Sequence, residues 1–134
     1  MSAITIALRA AALLALAGAA HGACAPGLRP AVTAELFFGR DIGQSVAVSE
    51  GDWKSFVDSE VTPRFPGGVS VADDQGQWRG SDGVLVREPS KIVTLVLTGA
   101  PDEQARIEAV RAAYKARFHQ QSVLLVETEA CVSF

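Results

Sequence analysis

Seven residues in mid-chain, Thr62-Pro63-Arg64-Phe65-Pro66-Gly67-Gly68, constrain the fold more than any other stretch. Two prolines fix φ and two glycines free it, so the backbone must leave one element here and enter the next on a new heading. Before the stretch lies an apolar stripe at helical spacing, Trp53, Phe56, Val57 and Val61. After it Val69-Ser70-Val71 alternates at period two. The stretch is a helix-to-strand junction, expected to hold Phe65 near the core and Arg64 near a polar cluster.

The flanks extend the pattern. Ser49 is a good N-cap with Asp52 three residues on, a variant of the capping box, and Pro63 disfavours helix at Thr62, so a helix is expected over 49–62. Upstream, Val32, Ala34, Leu36 and Phe38 share one strand face, and Thr33, Glu35 and Phe37 share the other. Gly39 ends that strand, and 40–48 reads as a loop. Downstream, 73–76 and 80–83 read as turns around a short extended piece at 77–79, a small hairpin excursion. Extended chain resumes at 84–86, and Pro89 places it at an edge or bulge. Residues 92–97 are strongly apolar and belong in the middle of a sheet. A second helix starts near Pro101, with Ile107, Val110, Tyr114 and Phe118 as its stripe. Residues 122–126 form the last main strand. This order, β-α-β-β-α-β, is the α+β, ferredoxin-like arrangement: an antiparallel sheet with both helices on one face and the first and third strands central. The reverse face then carries Phe37, Ile92 and Val96 beside Glu35 and Thr94. So apolar a surface calls for cover, either a second copy in a homodimer or the role of a pocket floor.

The ends of the chain speak to its location. Residues 1–22 have one charge, Arg9, then the apolar run Ala11-Ala12-Leu13-Leu14-Ala15-Leu16-Ala17 and small residues, the layout of a signal peptide. The run is too short to span a membrane, and no longer one follows. Residues 23–30 read as an irregular arm and 31–134 as a single domain. Cleavage before Ala23 suits ordinary signal peptidase. Cleavage before Cys24 would acylate it and anchor the protein to lipid, although a lipobox wants Leu where His21 stands. Two cysteines remain, Cys24 and Cys131. In an oxidising compartment they are expected to pair, the alternative being two unpaired thiols with Cys24 lipidated. Of 12 Lys and Arg, removal of the leader takes Arg9, which leaves 11 against 15 acids and a formal charge of about −4. A mildly acidic chain does not suit nucleic acid.

The usual catalytic signatures are missing. There is no Gly-rich phosphate loop, paired-cysteine zinc pattern, H-E-x-x-H or G-x-S-x-G, so neither metal nor cofactor is expected. His119 reads as a helix-end residue, and Cys131 as a nucleophile would need a base to form its thiolate. The polar residues of interest are Glu35, Arg64, Arg79, Arg87, Glu88, Lys91, Tyr114 and Gln121. As a site they would receive a small anionic ligand, since Arg offers a planar fork to carboxylate and phosphate. As structure they would form an ion-pair network around the Pro-Gly junction. Trp53 belongs to the helix stripe. Trp78, in the turn-rich excursion, is either an exposed ligand-contacting lip or packs the excursion onto the domain.

Glu35-Leu36-Phe37-Phe38-Gly39, Thr62-Pro63-Arg64-Phe65-Pro66, Gly76-Gln77-Trp78-Arg79, Arg87-Glu88-Pro89-Ser90-Lys91, Tyr114-Lys115-Ala116-Arg117-Phe118 and Cys131-Val132-Ser133-Phe134 together resemble a bacterial family catalogued as domain of unknown function 3574. The resemblance implies an exported or lipid-anchored protein and brings no activity or site residues. Two functions compete, beside a duller third, a stabilising component of an envelope assembly. One is a periplasmic binding or interaction module working through the open sheet face or the Trp78 region. The other is a small cofactor-independent enzyme, of isomerase or lyase type, on an anionic small molecule. There Glu35 or Tyr114 would move a proton and Arg64 or Arg87 would hold the substrate.

Overall fold

The computed structural model describes residues 23–134 except 43, 44 and 47; the leader expected over 1–22 lies outside the described residues. The alternation in the first strand decides the architecture. β1 (Arg29–Gly39) buries Ala34, Leu36 and Phe38 and leaves Thr33, Glu35 and Phe37 half-buried on the reverse. The next strands, β2 (Ser70–Arg79) and β3 (Leu85–Leu97), form a hairpin, and β4 (Leu124–Val132) closes the sheet. The order across the sheet is β2-β3-β1-β4, with every pairing antiparallel and β3 and β1 central, as the apolar patterns require. A short ribbon, Asp41–Ile42 against Ser45–Val46, follows β1 within the expected loop.

Both helices lie on the face of Leu36 and Phe38. α1 (Glu50–Phe56) opens with the full Ser49–Asp52 capping box and continues as one π-helical turn over Val57–Val61, closed by Thr62 N donating to Val57 O at 2.9 Å. The wider turn lets Val61 reach the core before Pro63 stops the helix. α2 (Glu103–Phe118) buries Ile107, Val110, Tyr114 and Phe118, the stripe read from the sequence, and ends at His119 in the left-handed region, φ 55°. Phe38, Trp53, Phe56, Tyr114 and Phe118 meet edge-on or tilted, with the Phe38 and Tyr114 rings 4.7 Å apart. The Pro-Gly junction seals the other end of the helix layer. Phe65 is buried there, Arg106 of α2 stacks on its ring at 5.3 Å, and Arg106 Nη1 donates to Arg64 O at 2.7 Å.

Two expectations need correction. Residues 73–76 form no turn but run through the middle of β2, with Asp73 opposite Lys91 and Asp74 opposite Ser90. Local turn chemistry there is overridden by cross-strand pairing. The single turn lies at 80–83, where Gly83 N donates to Gly80 O and Gly83 takes φ 81°. The last strand starts and ends later than 122–126 and reaches Val132. Its far end is fixed covalently, because Cys24 and Cys131 form a disulfide across 107 residues.

Reducing that disulfide, or replacing both cysteines by serine, should cost about 4 kcal/mol in the loop-entropy account, read as a shift in urea midpoint. Tyr114→Phe removes a buried hydroxyl bonded to Gly39 O at 2.8 Å and should cost about 1 kcal/mol. Burial also raises the Tyr114 pKa. The unfolded tyrosine ionises near pH 10, so the native state is progressively destabilised above that pH. Tyr114→Phe should therefore flatten the alkaline limb of stability against pH.

Candidate functional site

β1 ends where three demands meet on one backbone. Gly39 O accepts from Tyr114 on the helix side, and Arg40 N donates to Pro89 O at 3.1 Å. On the reverse face, a Cβ at Gly39 would lie 2.8 Å from both carboxylate oxygens of Glu88. Only glycine lets Glu88 lie across the strand end. Its Oε1 accepts from Trp78 Nε1 at 2.9 Å and its Oε2 from Asp41 N at 3.2 Å. Glu88 thus links the hairpin tip to the chain leaving β1.

These groups line a cleft of about 720 Å³ on the open face. β1 pairs with β3 only up to Ser90, so the hairpin of β2 and β3 overhangs the end of β1. Residues 119–122 pass on the opposite side, tied down by Gln120 Nε2 donating to Asp41 O at 3.0 Å. The cleft lies between, with Phe37 and Leu124 on its apolar side and Trp78 on the overhang, 48% exposed. Among the described residues, its walls carry Asp41, Asp74, Asp82 and Glu88 and no Lys or Arg. Asp74 accepts from Ser90 Oγ, and Asp82 caps its own turn at Val84 N. Among the described residues none of the four has an ion-pair partner, and Asp41 Oδ1 is buried with no hydrogen bond at all. A second cavity, of about 760 Å³, lies at the far end of the sheet beside Cys24 and Cys131. Its Glu103 carboxylate is already occupied by the amides of Thr98 and Gly99, which leaves little chemistry there.

The residues singled out by sequence do not converge on one site. Trp78 lines the cleft, and so do Glu88, His119 and Gln121. Glu35 is on the same sheet face, further along β1 opposite Thr94 and Val126, and lines neither cavity. Tyr114 is sealed in the core. Arg64 pairs with Glu60 at 2.8 Å, away from any cluster. Arg79 donates to Gly83 O in the hairpin turn. By strand alternation Arg87 and Lys91 face the helix side, as Arg79 does. Lys91 is 6% exposed and bridges Glu50, at 3.0 Å, and Asp73; Arg40 Nη1 reaches Glu50 as well. The hydrogen bond from Lys91, together with the charges of Lys91 and Arg40, holds the carboxyls of Glu50 and Asp73 below the usual range. The same partners raise Lys91, Asp73 first among them, against the opposing effect of burial.

The family described as "Protein of unknown function (DUF3574)" matches residues 33–134. The chain belongs to that family. No curated protein matches it by sequence. Among solved structures, this DUF3574 chain is similar to a phage SAM lyase in complex with S-methyl-5'-thioadenosine, with a TM-score of 0.61 at 18% identity over 78% of this chain and 90% of the lyase. It is also similar to CutA from Synechococcus elongatus complexed with Bis-Tris, with a TM-score of 0.51 at 11% identity over 79% and 87% of the two chains. At such identities the likeness is one of fold: a four-stranded antiparallel sheet in the order above, with two helices.

Sequence reasoning passed over Asp41, Asp74 and Gly39. The available signal was Gly39 followed by Arg40-Asp41, a glycine and two charges directly after an apolar strand. The helix-side cluster yields a prediction. Carboxylates held below their ordinary range contribute stability above the unfolded values, and it is lost as pH falls through the folded ones. Glu50→Gln and Asp73→Asn should each reduce the loss of urea midpoint between pH 6 and about pH 3, with Lys54→Ala as the exposed-pair control.

Proposed function

We propose that the protein is an exported binding module that holds a small ligand in the Trp78 cleft, on the sheet face away from the helices. The observation that carries this reading is the convergence of an exposed indole with a fixed carboxylate, Trp78 Nε1 on Glu88 at 2.9 Å, at the mouth of a cleft with an apolar side. Export is supported by the leader pattern and by the Cys24–Cys131 disulfide, a bond that persists in oxidising compartments. Among the described residues no helix is long and apolar enough to cross a membrane. A phage lyase of this fold holds S-methyl-5'-thioadenosine, so the scaffold accommodates small molecules, although which one does not transfer with the fold.

The enzyme reading on an anionic substrate needs Glu35 beside a cavity with an Arg or Tyr in reach. Glu35 lines no cavity, Tyr114 is buried, and Arg87 and Lys91 belong to the opposite face. An anionic ligand in the cleft would meet carboxylates. The interaction side of the module is a homodimer through the same open face. It is favoured by the band of Phe37, Ile92, Val96, Leu124 and Val126, of which Leu124 is 57% exposed.

A panel of small neutral, cationic and anionic compounds titrated into the protein tests the site by two-dimensional NMR. The Trp78 indole N–H and the amides of Ser122 and Leu124 should shift with at least one compound, while the buried Trp53 indole stays put. Shifts confined to the cavity beside Cys24 and Cys131 would sink the reading.

A further inference from the structure

The cleft differs from the rest of the molecule in its charge balance. Outside it, the carboxylates of Glu50, Asp58, Glu60, Asp73, Asp102 and Glu108 sit against Lys or Arg, while Asp52, Glu103 and Glu127 are held by hydroxyl or amide donors. Among the described residues, Asp41, Asp74, Asp82 and Glu88 in the cleft have no ion-pair partner, and His119 is the one basic side chain on its wall. Two cations of neighbouring positions are committed elsewhere: Arg40 binds Val48 O and Glu50, and Lys91 binds Glu50 and Asp73. Asp41 Oδ1 is buried and, among the described residues, has no hydrogen-bond partner. A concave wall of one sign focuses the field into the space it encloses. Trp78 adds a half-exposed indole to the same space, and the face of that ring attracts cations.

We infer that the cleft selects organic cations: a protonated amine carried on a ring or other apolar body, with the ammonium toward Glu88 and the Trp78 ring and the apolar part against Phe37 and Leu124. This rests on the cleft being the ligand site. It goes beyond that reading by fixing the sign of the ligand's charge. The apolar side of the cleft excludes a bare metal ion as the natural fit, and among the described residues no group of His, Cys, Asp and Glu is arranged to hold one.

Three probes of one shape and different charge separate these effects: benzylamine, benzyl alcohol and benzoate, titrated at pH 7 with the Trp78 indole N–H as reporter. Benzylamine should bind about tenfold more tightly than benzyl alcohol, and benzoate more weakly than either. Raising the salt should weaken benzylamine and leave benzyl alcohol unchanged. Asp41→Asn and Glu88→Gln, each checked for a native spectrum, should narrow the benzylamine-to-alcohol ratio. Trp78→Leu, read by the amides of Ser122 and Leu124 on the cleft wall, should weaken both probes. Equal affinity for amine and alcohol, or preference for benzoate, would overturn the charge selection and leave the cleft as the site. So would a cleft silent toward benzylamine yet responsive to a neutral member of the wider panel. A cleft that responds to no compound removes the site reading as well.

Discussion

The fold depends on the seat of Tyr114 against the end of β1. Its ring packs on Phe38 at 4.7 Å and its hydroxyl donates to Gly39 O at 2.8 Å. A buried tyrosine needs both an apolar bed and a partner for its oxygen, and these adjacent residues supply both. The contact fixes α2 over the sheet and fixes where β1 stops. Gly39 then serves the opposite face as well, because its missing Cβ is what admits the Glu88 carboxylate. A core contact and a cleft wall therefore share one residue. Repacking around Tyr114 would be felt at Glu88 through a single peptide unit.

Two polar clusters flank this strand end and follow opposite rules. On the helix side Lys91 and Arg40 are nearly covered, and each has a carboxylate partner. Covering a cation without compensation is costly, so the partners are a condition of the packing there. On the open side four carboxylates gather without cations. Neutral donors hold three of them, Trp78 and Asp41 N at Glu88, Ser90 at Asp74 and Val84 N at Asp82, and among the described residues none has an ion-pair partner. Groups that stabilise a fold are usually paired, so the helix-side cluster is accounted for by the packing, and the unpaired carboxylates beside the exposed indole are the basis of the proposed ligand site.

Much of the architecture was legible because it rests on periodicity. The alternation of Val32, Ala34, Leu36 and Phe38, the stripe of Ile107, Val110, Tyr114 and Phe118 and the Ser49–Asp52 cap each recur in the structure where the pattern puts them. The reverse face of Phe37, Ile92 and Val96 follows from the same parity. The run Asp73-Asp74-Gln75-Gly76 misled because its turn chemistry is local, whereas its strand state comes from Lys91 and Ser90, many residues away. The site was harder to read for the same reason. Glu88 and Trp78 stood out as residue types, but their bond depends on the register that sets Gly76 opposite Glu88 and Trp78 opposite Val86. Arg87 and Lys91 looked equally promising, and a single step of alternation sends them to the other face.

The two ends of the sheet are built differently. At the β1 N-terminus Pro30 pairs with Cys131, and the disulfide clamps the arm onto β4. At the β1 C-terminus the β2–β3 hairpin runs on past its neighbour with only itself for a partner, and Pro89 marks the point where β1 support ends. A two-stranded ribbon is marginal alone and needs a contact to hold its position. Here Glu88 provides it, reaching back to Asp41 N from beside Trp78. The overhang therefore rests on the side-chain contacts of Glu88, whereas the clamped end is held by a covalent bond.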